Sequence, residues 1–358
     1  MPLIVSEVLA DTLNVSVVAD GVPLAISELS YSAKVNSARI VYFTVDTKEY
    51  AEACRLGAKV VIQAGREASI SNLSFIGLIK EVQPTEYGAQ ITAMDYIALL
   101  ASSTYVNYED NDILGRDLYF LAADAMDIEE IDTSFLTQGS GIRATADMKL
   151  QGLQTRKEFI DKCFRHMYEF VEDATSYRDK LNVVYYQYFI SINNRMEIRK
   201  IDDTNIHSGA VLSVSNRNNL VESIKARLDT STMVNSATVV SSTNEDIVFT
   251  YTDADSISKY GPVSELITLN TEDYPVIVNE ALLYVNRYKK PSYNFIIVIR
   301  NADHLGLGDL VEVEIPTLER KIKLPIASYS IDTANGIVST ITLGRVPLSL
   351  SQMISKIR

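Results

Sequence analysis

The sequence predicts an α+β protein dominated by strands, with two similar β-modules flanking a mixed α/β middle domain. Two observations predict it. A glycine-led alternating stretch, "LGLGDLVEVEIP" (305–316), has a counterpart of the same pattern near the other end, "LGAKVVIQA" (56–64). Between them the composition turns acidic and the apolar spacing turns helical. The chain is long enough for several cores, with 358 residues and 47% hydrophobic side chains.

Residues 1–105 form the first module. "LNVSVVADGVPL" reads as two strands joined at Asp20-Gly21, and "ARIVYFTVD" as a third. "LGAKVVIQA" follows, then "LSFIGLIKEV" (73–82), a turn at Tyr87-Gly88 and "AQITAMD" (89–95). The far end repeats that order with "LGDLVEVEIP" (307–316), "RKIKLPIASYSID" (320–332), a turn at Asn335-Gly336 and "IVSTITLG" (337–344). The letters differ while the spacing of strands and glycines is kept, which favours two copies of one module. Gly57, Gly88, Gly308 with Asp309, and Gly336 are the expected structural turns.

The middle domain, 106–210, opens on an acidic run. "DILGRDLYFLAADAM" has helical spacing, with Asp112 as its cap. Thr155 and Glu158 make a capping box ahead of an apolar stripe at Phe159, Ile160, Cys163, Phe164 and Met167. A hairpin turns at Asn193-Asn194. The second module, 211–345, is expected to hold the strand-like "VESIKARLD", "NSATVVSS" and "DIVFTYTD", with one helix inserted at 274–288. Segment 346–358 carries Leu348, Leu350, Met353, Ile354 and Ile357, either packed on its own domain or docking a partner.

The formal net charge of −13 argues against gripping nucleic acid by phosphate neutralisation. Cys54 and Cys163 lie far apart and read as reduced core residues. No catalytic, cofactor or metal site is expected. The three histidines, His166, His207 and His304, are scattered, and no His-x-x-x-His or Cys-x-x-Cys occurs. "LGLGDL" and "GSGIRA" do not complete a dinucleotide loop. The N-terminus lacks a basic region, and no apolar run reaches the ~20 residues of a membrane span, so synthesis and folding in the cytoplasm are expected.

The stretch "SISKYGPVSELITLNTEDYPVIVNEALLYVNRYKKPSYNFIIVIRNADHLGLGDLVEVEIP" resembles the C-terminal half of baseplate hub proteins of contractile-tailed bacteriophages and prophage-derived tail particles. The matching features are Tyr260-Gly261, the helix around Ala281, the strand at Phe295–Ile299 and Gly308-Asp309-Leu310-Val311. "RLGAKVVIQA", "FIGLIKEV" and "YGAQITAMDYIALLA" resemble the first half, and the middle domain matches least. The resemblance implies two tail-tube-like β-barrels per subunit and a homotrimer around a channel. The implied partners are the tail tube protein, the central spike protein and baseplate wedge proteins, in a virion tail baseplate. DNA would pass without specific binding, and some acidic residues would face the channel. The competing readings are a tail-associated cell-wall hydrolase, whose carboxylate pair sequence alone would not reveal, and a receptor- or carbohydrate-binding module.

Overall fold

The computed structural model describes residues 14–47, 52–65, 73–102, 105–106, 113–144, 154–172, 181–191, 194–201, 211–213, 220–300, 305–315, 320–332 and 338–344. The first module contains β1 (Asn14–Ala19), β2 (Val22–Leu24), β3 (Ile26–Lys34), β4 (Ile40–Val45), β5 (Lys59–Gly65), β6 (Leu73–Pro84) and β7 (Ala89–Asp95). Their order in space is β3-β4-β7-β6-β5-β1-β2, every pair antiparallel. β2 and β3 stand at opposite ends of that order, yet only Ala25 separates them in the chain. One residue reaches about 3.8 Å, so the sheet curls until its ends meet. The curl encloses one face. Val41, Phe43 and Val45 on β4 and Ile91 and Ala93 on β7 are buried, while the residues between them are not. Phe75, Ile62 and Ile79 are fully buried in this core and contribute roughly 1.5–3 kcal/mol each. Asp20 and Gly21, both at positive φ, make the tight turn between β1 and β2.

A short helix, α1 (Ile97–Leu100), leads from β7 into the middle domain. That domain comprises β8 (Tyr105–Val106), α2 (Leu118–Met126), β9 (Gln154–Thr155), α3 (Arg156–His166), β10 (Tyr168–Glu172), β11 (Leu181–Ile190) and β12 (Met196–Ile201). α2 packs on α3, and α3 packs on β11 of the β10-β11-β12 sheet, in one core with Leu118, Leu121, Phe159, Ile160, Cys163, Tyr188 and Met196. Burial pushes the Cys163 thiol up to about 12, so it stays an unreactive core group. α3 opens on the capping box of Thr155 and Glu158. α2 begins later than its spacing suggests. Gly115 takes a φ of 75° and breaks the first turn, and Asp117 is the N-cap, accepting from Tyr119 N–H. Asp112 lies outside the described residues.

The second module contains β13 (Val211–Ser213), β14 (Leu220–Asp229), β18 (Ser292–Arg300), β19 (Leu310–Ile315), β20 (Arg320–Asp332) and β21 (Val338–Gly344). Its order is β14-β18-β21-β20-β19-β13. Between β14 and β18 lies more than an inserted helix: β15 (Ser236–Ser241), β16 (Val248–Thr252), α4 (Ala254–Tyr260), β17 (Ser264–Leu269) and α5 (Tyr274–Tyr288). β15 pairs antiparallel with β16 and parallel with β17, and α5 packs on this separate sheet through Ile277 and Ala281 against Val239. "NSATVVSS" and "DIVFTYTD" therefore belong to a small insertion domain and not to the second barrel. Their alternation is genuine, but alternation says which face is buried and not which sheet the strand joins.

Candidate assembly site where the two modules join

β3, β4, β7, β6 and β5 of the first module correspond to β14, β18, β21, β20 and β19 of the second, in the same order and antiparallel sense. The correspondence holds residue by residue. Gly57 (φ 81°) donates its N–H to Ile79 O at 2.9 Å, and Ile79 N–H returns to Ala58 O at 3.0 Å. Gly308 (φ 76°) donates to Ile326 O at 2.9 Å, and Ile326 N–H returns to Asp309 O at 2.9 Å. A left-handed residue at the mouth of a strand suits glycine in both places. Immediately after those isoleucines each long strand carries a bulge, between Ile79 and Glu81 and between Ile326 and Ser328.

The register then carries through the next strands. Aligning the bulges sets Ala93 on Leu343 and Val41, Phe43 and Val45 on Phe295, Ile297 and Ile299, all buried. This brings a second pair of bulges into coincidence, between Ile26 and Glu28 opposite β4 and between Val221 and Ser223 opposite β18. Two bulges and a glycine turn agree without adjustment. The modules differ at their far edge, where β1 lies antiparallel to β5 and β13 parallel to β19.

The modules are not separate barrels. Ser328–Asp332 of β20 pairs antiparallel with Ser30–Lys34 of β3, which fuses both into one 13-stranded sheet. Tyr31, Ala33, Tyr329 and Ile331 are buried across this junction, and Val35 N–H continues its ladder to Ala327 O at 3.1 Å.

Arg39 ties the middle domain to this frame. Its side chain is 2% exposed. Its backbone N–H and Nε both donate to Asp95 Oδ2, at 3.0 and 2.9 Å. Nη1 donates to Ser74 O and Ser191 O, each at 3.1 Å, and Nη2 to Asn194 Oδ1 at 2.6 Å. Acceptors from three separate chain segments, β6, β7 and the turn between β11 and β12, thus converge on one guanidinium, whose planar fork suits several acceptors at once. Burial drives the Asp95 carboxyl above its ordinary range, opposed by the guanidinium and by the N–H groups of Arg39 and Ile97.

Gly88 sits where a Cβ would lie 1.8 Å from Val45 O, so this turn needs glycine for close approach and not for positive φ. Asp309 accepts from Gly306 N–H at 2.8 Å and braces the turn ahead of β19. Glu312 of β19 pairs with Lys321 and Lys323 across the ladder at 3.6 and 3.3 Å. Gly336, Leu348, Leu350, Met353, Ile354 and Ile357 lie outside the described residues. Among the described residues no group of His, Cys, Asp and Glu is placed to hold a metal ion, and no helix is long and apolar enough to cross a membrane.

The sequence matches no protein-family model and no curated protein. Solved structures do match. The 43 kDa tail protein of prophage MuSo2 from Shewanella oneidensis superposes with a TM-score of 0.63 at 13% identity, over 93% of this chain and 98% of that one. The fold is that of prophage tail proteins. A tail protein from Neisseria meningitidis MC58 gives 0.66 at 11% identity, over 93% and 96% of the two chains. Prophage tail protein gp18 from Listeria monocytogenes EGD-e gives 0.56 at 12%, over 96% and 98%. At 11–13% identity the likeness is one of fold, not of side chains.

Proposed function

We propose that this chain is a structural hub of a phage-type tail baseplate, a homotrimer joining the six-fold tail tube to the three-fold central spike. The observation that carries this reading is the duplicated module, alike in strand order, bulges and glycine turn and fused through one sheet. Three copies supply six equivalent modules to a six-fold neighbour while keeping three-fold symmetry toward the spike. The fold shared with prophage tail proteins supports it. Wedge proteins would dock on the outside, and the five apolar residues Leu348, Leu350, Met353, Ile354 and Ile357 are the proposed docking segment. DNA would cross the central channel unbound, and the formal charge of −13 opposes phosphate contacts.

Light scattering at several concentrations tests the reading. A mass near three times 39.8 kDa is expected, and a strict monomer throughout would overturn it. A peptidoglycan turbidity assay separates it from a cell-wall hydrolase, and no clearing is expected.

A further inference from the structure

The β20–β3 junction has two open counterparts in the same chain. β20 pairs with β19 through its leading half and with β3 through its trailing half, while β21 runs along the other side. Its equivalent, β6, pairs with β5 through its leading half. Beyond that point Glu81–Pro84 has β7 on one side and, among the described residues, no strand on the other. Likewise β3 lies between β4 and β20, whereas its equivalent β14 has β18 on one side and no other described strand.

Burial marks the same two edges. Tyr31 and Ile331 are 7% and 5% exposed inside the junction. Their counterparts Ala226 and Pro84 are exposed, and Val82, the counterpart of buried Tyr329, is only half-buried. What the internal junction covers, these edges leave open.

We propose that β14 of one chain pairs antiparallel with the trailing half of β6 in a second copy, repeating the β20–β3 junction between chains. Carrying over the Ser328–Lys34 to Asp332–Ser30 register sets Val82 opposite Leu228, Gln83 opposite Arg227, Pro84 opposite Ala226 and Thr85 opposite Lys225. Thr85 turns its N–H toward Gly88, so by alternation Val82 and Pro84 direct their backbone groups to the open edge. Pro84 lacks an N–H and offers only its carbonyl, which shortens the ladder by one bond. An edge proline also discourages indiscriminate strand pairing. The register also sets Glu81 opposite Asp229, a like-charge pair at the ladder's end, while the remaining charges complement the fit. Exposed Lys225 and Arg227 lie on β14, and exposed Glu86 lies just beyond the β6 edge. The contact is head-to-tail, so it either closes into a ring or propagates. Only the number of copies rests on the trimeric reading above.

The test is an oxidative cross-link in the full chain carrying Gln83→Cys and Arg227→Cys together. In this register the two positions form a pair without mutual backbone hydrogen bonds, with Cα atoms about 4.5 Å apart, within disulfide reach. Both sites are exposed, and the native Cys54 and Cys163 are buried. The expected product is a reducible covalent trimer on a non-reducing gel. The expected controls are no product from either single variant and none from Gln83→Cys with Ala226→Cys, whose side chains leave opposite faces. A trimer by light scattering that fails to cross-link overturns the edge pairing and leaves the ring reading standing. A cross-linked open ladder without a closed trimer supports the edge and overturns the ring. A monomer at all concentrations without cross-link overturns both, and equal cross-linking in the Ala226 control marks collision and overturns the register.

Discussion

Replacing Arg39 with methionine removes the one cation that holds Asp95 in a dry site. The guanidinium serves Asp95, two carbonyls and Asn194, and both charged side chains are 2% exposed. Removing one partner of such a pair costs about 3–5 kcal/mol. The stranded carboxyl has one escape, which is to take up a proton. Burial alone already drives Asp95 upward, and without Arg39 the main opposing influence is gone. An acid whose folded value is raised contributes stability that is present at low pH and lost as pH rises through that value. The Arg39→Met deficit therefore shrinks on acidification, by about 1.4 kcal/mol for each pH unit in which the folded acid is protonated and the unfolded one is not. Hydrogen exchange over β7 and β11, at pH 7 and pH 5, reads this locally. A loss of about 4 kcal/mol corresponds to roughly a thousandfold faster exchange. The Arg39→Met/Asp95→Asn double variant is expected to lose the pH dependence. Equal deficits at both pH values in the single variant, or a loss under about 1 kcal/mol, would refute the stranded-charge argument.

Gly57→Ala and Gly308→Ala force L-residues into the left-handed region and are expected to cost about 1–2 kcal/mol each, alike in the two modules; unequal losses in paired denaturation curves would count against their equivalence. Asp117→Ala is expected to cost about 2 kcal/mol, because its carboxylate caps α2 and also accepts from Ser140 and Gly141. Burial alone would raise this carboxyl, but the Ser140, Tyr119 and Gly141 donors hold it below its ordinary value. Its contribution is thus present above pH ~4 and lost as pH falls through the folded value, which an acid titration of α2 protection will show. Thr155→Ala removes the capping box and is expected to cost about 1 kcal/mol in thermal unfolding.

What the sequence disclosed followed the range of the interaction involved. Thr155 and Glu158 are three residues apart, so their reciprocal cap is written locally. Gly57 and Gly308 are legible because positive φ at a strand mouth restricts the choice to one residue type. The bulges after Ile79 and Ile326 were not legible, since Lys80 and Ala327 share no property that marks an extra residue. Nothing around Arg39 announces burial either. "ARIVYFTVD" reads simply as a strand, and the acceptors come from Ser74, Asp95, Ser191 and Asn194. The β20–β3 junction joins residues some 300 positions apart, and no local pattern encodes which edge meets which. The insertion domain was misplaced for the same reason.

That insertion shows how two like modules come to differ. In the first module β3 passes into β4 through residues 35–39, a short connection. In the second, the equivalent strands β14 and β18 are joined by residues 230–291, which contain the whole insertion domain. The ladder between them is nonetheless complete to its last pair, Asp229 with Ser292. An insertion at a hairpin tip adds closure entropy that grows only slowly with length and leaves the paired strands undisturbed. Deleting residues 230–291 and installing a polar five-residue connection, the length of 35–39 but without a buried cation, should therefore leave β14, β18 and β21 paired. Slow amide exchange across β18 in the shortened chain is the check. Fast exchange there would mean that the insertion holds the module together. If the ladder survives, the two modules of the chain are alike in the sheet while only the second carries an inserted domain. Duplication and insertion are then separable events: the sheet fixes the likeness of the modules, and the hairpin tip carries their difference.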